Sequence, residues 1–146
     1  MSGRLLELIS RIHLDWKRHV ARGLAPYGIG PKQIFLLRKL QEGGELAPSA
    51  VALLIHGDRP STTSMLDTME RAGWIRRRRD PGNGKRVLVR LTDAGRQKLE
   101  AVPAALWRSA RMPLDPEQGL EPEERAALLG LLEKLHGWMD GHLPKD

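Results

Sequence analysis

At 146 residues, with 24 Lys and Arg against 18 Asp and Glu, the chain has room for one ordinary domain and carries a net charge of +6. Zero cysteines exclude a disulfide framework, thiol catalysis and thiol-based redox sensing, and they fit a reducing cytosol. Four Trp, one Tyr and one Phe are too few for a surface that stacks on single-stranded nucleic acid.

In the first segment Leu5, Leu6, Ile9, Ile12, Trp16 and Val20 recur at helical spacing and predict an amphipathic helix over 4–22, ended by Gly23 and Pro26. Charges at Arg4, Glu7, Arg11 and Asp15 interrupt its apolar runs, which excludes a signal-peptide core or a membrane span there. A second helix starts around Pro31, with Ile34, Leu37 and Leu40 apolar, and stops at Gly43 and Gly44. The short third helix follows Pro48 and Ser49, and its almost wholly apolar run from Ala50 to Ile55 predicts burial. After the break His56-Gly57-Asp58, a fourth helix opens on Arg59-Pro60-Ser61, with Asp58 or Arg59 at the cap. Its inward stripe is Thr62, Met65, Leu66, Met69 and Ala72, which leaves Ser61, Thr63, Ser64, Asp67, Thr68 and Arg71 outward.

Residues Trp74 to Leu91 read as two β-prone segments around a Gly-rich turn. Arg76, Arg77, Arg78, Arg79, Lys85, Arg86 and Arg90 against Asp80 give this hairpin +6, the net charge of the whole chain. Positive charge concentrated in one hairpin suits a polyanion backbone. Strand alternation shares the four consecutive arginines between two faces. Arg78 and Arg79, nearest the turn, are expected on phosphates, Arg76 and Arg77 in solvent, and Asp80 in a pair with a neighbouring Arg.

From Thr92 the sequence predicts a long helix over 92–112 with a kink at Pro103, then a connection from Pro113 to Gly119. A last helix over 122–141 starts at Pro122, with Leu128, Leu129, Leu132, Leu135 and Met139 on its apolar stripe. The outer helices carry more apolar surface than the small central unit covers, so a homodimer is expected, with Trp107, Trp138 and Met139 in its core. The five histidines form no metal-site spacing, and neither metal nor cofactor is expected. The chain has no Gly-rich phosphate loop and no Ser-His-Asp or Cys-His arrangement, and is read as a non-enzyme.

The fold class is therefore mainly α with a small β-hairpin: a winged helix-turn-helix core over 31–92 flanked by N- and C-terminal dimerisation helices, 1–146 forming a single domain. Four pieces in this order closely resemble the MarR (multiple antibiotic resistance regulator) family of transcription factors. They are Pro31-Lys32-Gln33 with Leu37-Arg38-Lys39-Leu40, Asp58-Arg59-Pro60-Ser61, Arg77-Arg78-Arg79-Asp80-Pro81, and Leu88-Val89-Arg90-Leu91-Thr92-Asp93-Ala94-Gly95-Arg96.

The resemblance implies that Pro60, Ser61, Thr63, Ser64 and Thr68 face the major groove and that Lys85 and Arg86 bring the wing to the minor groove. It also implies an effector pocket between the dimer helices and the winged unit, for which His13, Trp16 and Tyr27 are the candidates. Family members commonly have Arg where Ser64 stands, Ser in place of Pro60, and Asp-x-Arg at the wing tip, where this chain has Asn83 and Lys85. The tip Gly82-Asn83-Gly84 is accordingly expected to be more mobile than usual.

The expected function is a cytoplasmic, nucleoid-associated homodimeric repressor on a pseudo-palindromic duplex operator, released by a small lipophilic or phenolic effector, with no membrane partner. The alternative is a winged-helix protein–protein scaffold without sequence-specific DNA binding. An Arg-rich wing beside a hydroxyl-rich helix argues against that alternative.

Overall fold

The computed structural model describes residues 3–106 and 116–144. It forms two compact units, Met1–Arg111 and Met112–Asp146.

In the first unit, helix α1 (Gly3–Leu24) runs into a 3-10 turn, Ala25–Tyr27, closed by Gly28 at φ 65°. Helix α2 (Pro31–Gly43) begins where Pro31 needs no helical donor and where the Gln33 side chain accepts from the Gly30 amide at 2.9 Å. Helix α3 (Pro48–Leu54) and helix α4 (Arg59–Arg71) form the helix-turn-helix. The turn between them holds His56 in the left-handed region at φ 52°. Leu24, Ile34, Leu36, Leu37, Leu40, Val51, Leu66, Met69, Ile75, Val89, Leu99 and Val102 make one buried cluster beneath these elements.

Gly73, at φ 84°, turns the chain out of α4 into strand β1 (Ile75–Asp80), which pairs antiparallel with β2 (Asn83–Leu91). Ile75 lies opposite Leu91, Arg77 opposite Val89 and Arg79 opposite Val87, with a register shift between Arg79 and Asp80. Leu46 borders the other edge of β2 through two bonds with Val89, of 3.0 and 2.7 Å. Helix α5 (Asp93–Ala101) follows, capped by Thr92, whose hydroxyl accepts from the Gly95 amide at 3.0 Å. The second unit holds a 3-10 turn, Pro116–Gly119, and helix α6 (Pro122–His142).

Three expectations are corrected. The α3 run is not buried all round: Val51 and Ile55 are inside, but Leu53 is 79% exposed, because a seven-residue helix on a core surface buries one side only. Ala72, read as inward on α4, is exposed at the helix end. Pro103 does not kink a long helix, because α5 ends at Ala101 and Val102 is extended at ψ 126°. A proline's ring crowds the preceding backbone out of the helical region. Residues 107–112, and with them Trp107, lie outside the described residues.

Two helices retain exposed apolar surface. On α1, Leu5, Leu6, Leu8, Ile12 and Leu14 are about half exposed, and on α6 so are Leu128, Leu129, Leu131 and Trp138. No helix among the described residues is long and apolar enough to cross a membrane.

Candidate nucleic-acid interface

The site is built on α4 and the hairpin. Asp58 caps α4: one carboxylate oxygen accepts from the Ser61 amide at 2.7 Å and the other from the Ser61 hydroxyl at 3.1 Å. These two bonds, the backbone one first, hold the Asp58 carboxyl below its ordinary value, with Lys32 adding a smaller attraction. A depressed folded pKa contributes stability that is present above the unfolded value and is lost as pH falls through the folded one. Chemical unfolding of the protein at a series of pH values falling from neutral through the ordinary carboxylate range is expected to show this loss. Asp58→Asn, which keeps acceptor capacity, is expected to flatten it, and a pH profile identical in the two proteins would refute the cap assignment.

Pro60, Ser61, Thr63, Ser64 and Thr68 are all exposed on α4. Their hydroxyls are not equivalent. Thr63 donates to the Arg59 carbonyl and Thr68 to the Ser64 carbonyl, each at 3.0 Å, while Ser61 donates to Asp58. A hydroxyl whose proton is committed offers only lone pairs, which suit the amino groups of cytosine or adenine. The Ser64 hydroxyl bonds nothing among the described residues and is free to donate or accept.

The wing cations divide in two. Arg77 donates from its backbone amide and its Nε to Glu70 Oε2 at 2.9 and 3.0 Å, and from Nη2 to Asp67 Oδ1 at 2.5 Å. Its pKa is raised, chiefly by the Asp67 bond. Arg78 donates to Glu45 Oε1 through Nε at 3.0 Å and through Nη2, with Arg90 Nε 3.8 Å from the same oxygen. Arg79, by contrast, reaches no carboxylate among the described residues and donates to the Gly84 carbonyl at 2.8 Å. Arg76, Lys85 and Arg86 are exposed, and their side chains meet no carboxylate among the described residues.

Sequence reasoning missed the three carboxylates. Asp67 and Glu70 stand three apart on α4 and so share a face, a readable signal, but Glu45 lies 33 residues from Arg78. Asp80, expected to pair with an Arg, instead accepts from the Gly82 amide at 2.9 Å. Asn83 accepts from the Lys85 amide at 3.2 Å, so two side chains and Arg79 stitch the tip on which extra mobility was expected.

A cleft of about 930 Å³ separates α3 and α4 from the wing, lined by Leu53, Arg59 and Thr63 on one side and Arg77, Arg79 and Val87 on the other. A second cavity, of about 460 Å³, lies between α1 and the start of α2. His13, Trp16 and Tyr27 line neither. His13 is exposed, Trp16 is half-buried and stacks on His19, and the half-buried Tyr27 gives its carbonyl to Lys98 Nζ. Lys98 also sits 5.3 Å over the Trp74 ring, at the exit of α4.

A helix-turn-helix followed by a cation-rich hairpin is a winged helix-turn-helix, and the class it defines is a non-enzymatic, DNA-binding regulator of transcription. Residues 29–87 match the MarR family. The HTH-type transcriptional regulator PecS of Dickeya dadantii is 29% identical over 129 residues, covering 86% of this chain and 78% of that one. The putative transcriptional regulatory protein for the hcr operon of Thauera aromatica is 28% identical over 137 residues, covering 93% and 81%. A mutant MarR from E. coli complexed with operator DNA has the same fold at a TM-score of 0.78 and 26% identity, with 90% of this chain and 93% of that one covered. Over most of its length the chain is thus similar to transcriptional regulators, MarR of E. coli among them.

Proposed function

We propose that the protein is a homodimeric repressor that binds a pseudo-palindromic operator, working in the cytoplasm on the nucleoid. The observation that carries this reading is the cleft whose walls are the first turns of α4 and the strands of the wing. That arrangement sets hydroxyls and free cations side by side, for a major groove and its neighbouring minor groove. Pro60, Ser61, Thr63, Ser64 and Thr68 supply the groove contacts, while Arg79, Lys85 and Arg86 supply the wing's. The exposed leucines of α1 and α6 give the dimer its surface, and a two-fold axis repeats the recognition helix about one turn of DNA away.

A small lipophilic or phenolic effector releases the operator by favouring one arrangement of the dimer, since a ligand that binds both arrangements equally shifts nothing. His13, Trp16 and Tyr27 are its candidate contacts. The bond from Lys98 to the Tyr27 carbonyl, and its place over Trp74, link that region to the end of α4.

The test is selection of bound fragments from the source genome at two salt concentrations. An inverted repeat is the expected outcome, and no enrichment would favour the scaffold alternative. On the recovered operator, Ser64→Ala should change preference among variant sites more than general affinity. Equal losses on operator and random duplex would remove Ser64 from base reading.

A further inference from the structure

Of the seven hairpin cations, three face carboxylates on other parts of the fold. Strand alternation places Arg77 and Arg78 on opposite faces of β1, and each face has its own partner: Asp67 and Glu70 of α4 on one, Glu45 on the other. The Arg77 clamp has the more partners. Its guanidinium spans two carboxylates while its backbone amide, on the edge of β1 away from β2, shares Glu70 Oε2, so strand and side chain are held by one group. The Arg77 side chain is 27% exposed, which limits screening by water and salt.

A second effect follows from where the acids sit. Asp67 is on the recognition helix, and a bare carboxylate there would repel phosphate; Arg77 cancels that charge from behind.

We propose that Arg77 and Arg78 are positioning residues rather than phosphate contacts. Held by Asp67, Glu70 and Glu45, they fix the angle between wing and recognition helix. That angle sets the distance along the duplex between the major-groove and minor-groove contacts, so the clamps select operators by the spacing between core and flank. Arg78, expected from the sequence on a phosphate, is thereby reassigned. The inference rests on the reading that α4 and the wing engage one operator together.

Neutralising the carboxylates separates this from a merely electrostatic role. Glu70→Gln and Glu45→Gln make the protein more positive. If the clamps position the wing, each variant loses hydroxyl-radical protection in the flanking minor groove and keeps it in the core, and operator affinity falls about tenfold while affinity for a random duplex of equal length holds or rises. If the acids only dilute positive charge, operator and random duplex gain affinity together with an unchanged footprint, which overturns the proposal.

Arg77→Lys supplies a second discrimination, because it keeps the charge and removes the planar fork. A clamp is not rescued by lysine, whereas a phosphate contact is. In a Lys85→Ala, Arg86→Ala background, where the wing's own phosphate contacts are already gone, Arg77→Met and Arg78→Met should leave the slope of log affinity against log salt constant; a further fall of about 0.9 for either marks a phosphate contact and overturns the assignment. Thermal melts of each variant identify any that fail to fold, and Arg77→Lys and Glu45→Gln, which keep side-chain size, are the variants that then decide. An unaltered protein that protects the core and no flank overturns this inference while leaving operator recognition standing; one that protects neither overturns both.

Discussion

Gly95→Ala is expected to destabilise the first unit by about 3 kcal/mol, at the upper end of what overpacking costs, and to lower Tm by roughly 10 °C. A Cβ at position 95 would meet the Trp74 carbonyl oxygen at 2.1 Å and Leu91 Cδ1 at 2.6 Å. The first obstacle is backbone, so no side-chain rotation relieves it. The contact matters because three bonds converge there. Thr92 donates its hydroxyl to the Gly73 carbonyl at 2.5 Å and its amide to the Trp74 carbonyl at 3.1 Å, and Gly95 donates to the Thr92 hydroxyl at 3.0 Å. The start of α5 therefore grips the end of the recognition helix, and relieving the clash displaces that end together with the wing that follows it. DNA affinity should fall with stability. Gly43→Ala, where a Cβ meets nothing within 4 Å, is the control and should be neutral or slightly stabilising. A Gly95→Ala protein that melts like the unaltered one would show that α5 does not seat against Trp74.

Much of this architecture was legible because local signals agreed with it. Pro31, Pro48, Pro60 and Pro122 each open a helix, where a missing donor costs nothing, and Gly73 ends the recognition helix in the backbone region that glycine favours. Alternation in the hairpin fixed which arginines share a face. What escaped was tertiary or finer than periodicity. An apolar run of six gives no phase, so nothing in the sequence set Leu53 apart from Val51. Pro103 was read as a kink, although the restriction on the residue before a proline already argued for a stop at Ala101. The Glu45 clamp joins groups that only the folded sheet brings together, since Leu46 must first pair with Val89. Position along the hairpin put Arg77 in solvent and Arg78 on a phosphate, whereas the structure divides the cations by the carboxylates they face, with both of these arginines held.

That division sets the second large effect. Lys85 and Arg86 are exposed at the wing tip and meet no carboxylate among the described residues, so they are the wing cations we expect DNA to neutralise. Each alanine substitution is expected to lower the salt slope by about one unit, and the double substitution by about two. The affinity losses should differ in kind. Lys85 presents a hydrated point charge, and Lys85→Ala should weaken all duplexes alike. Arg86 carries a flat, weakly hydrated guanidinium suited to a narrow minor groove, and Arg86→Ala should cost about 1–3 kcal/mol on an operator with A·T-rich flanks and less where the flanks are G·C. Binding isotherms on two operators that differ only in the flanks, each taken at several salt concentrations, separate the two terms. Slopes unchanged in both variants would detach the wing from the DNA altogether. Equal losses of Arg86→Ala on both flanks would leave it a phosphate contact, and would place sequence discrimination wholly on the recognition helix, with Ser64 as its one uncommitted hydroxyl.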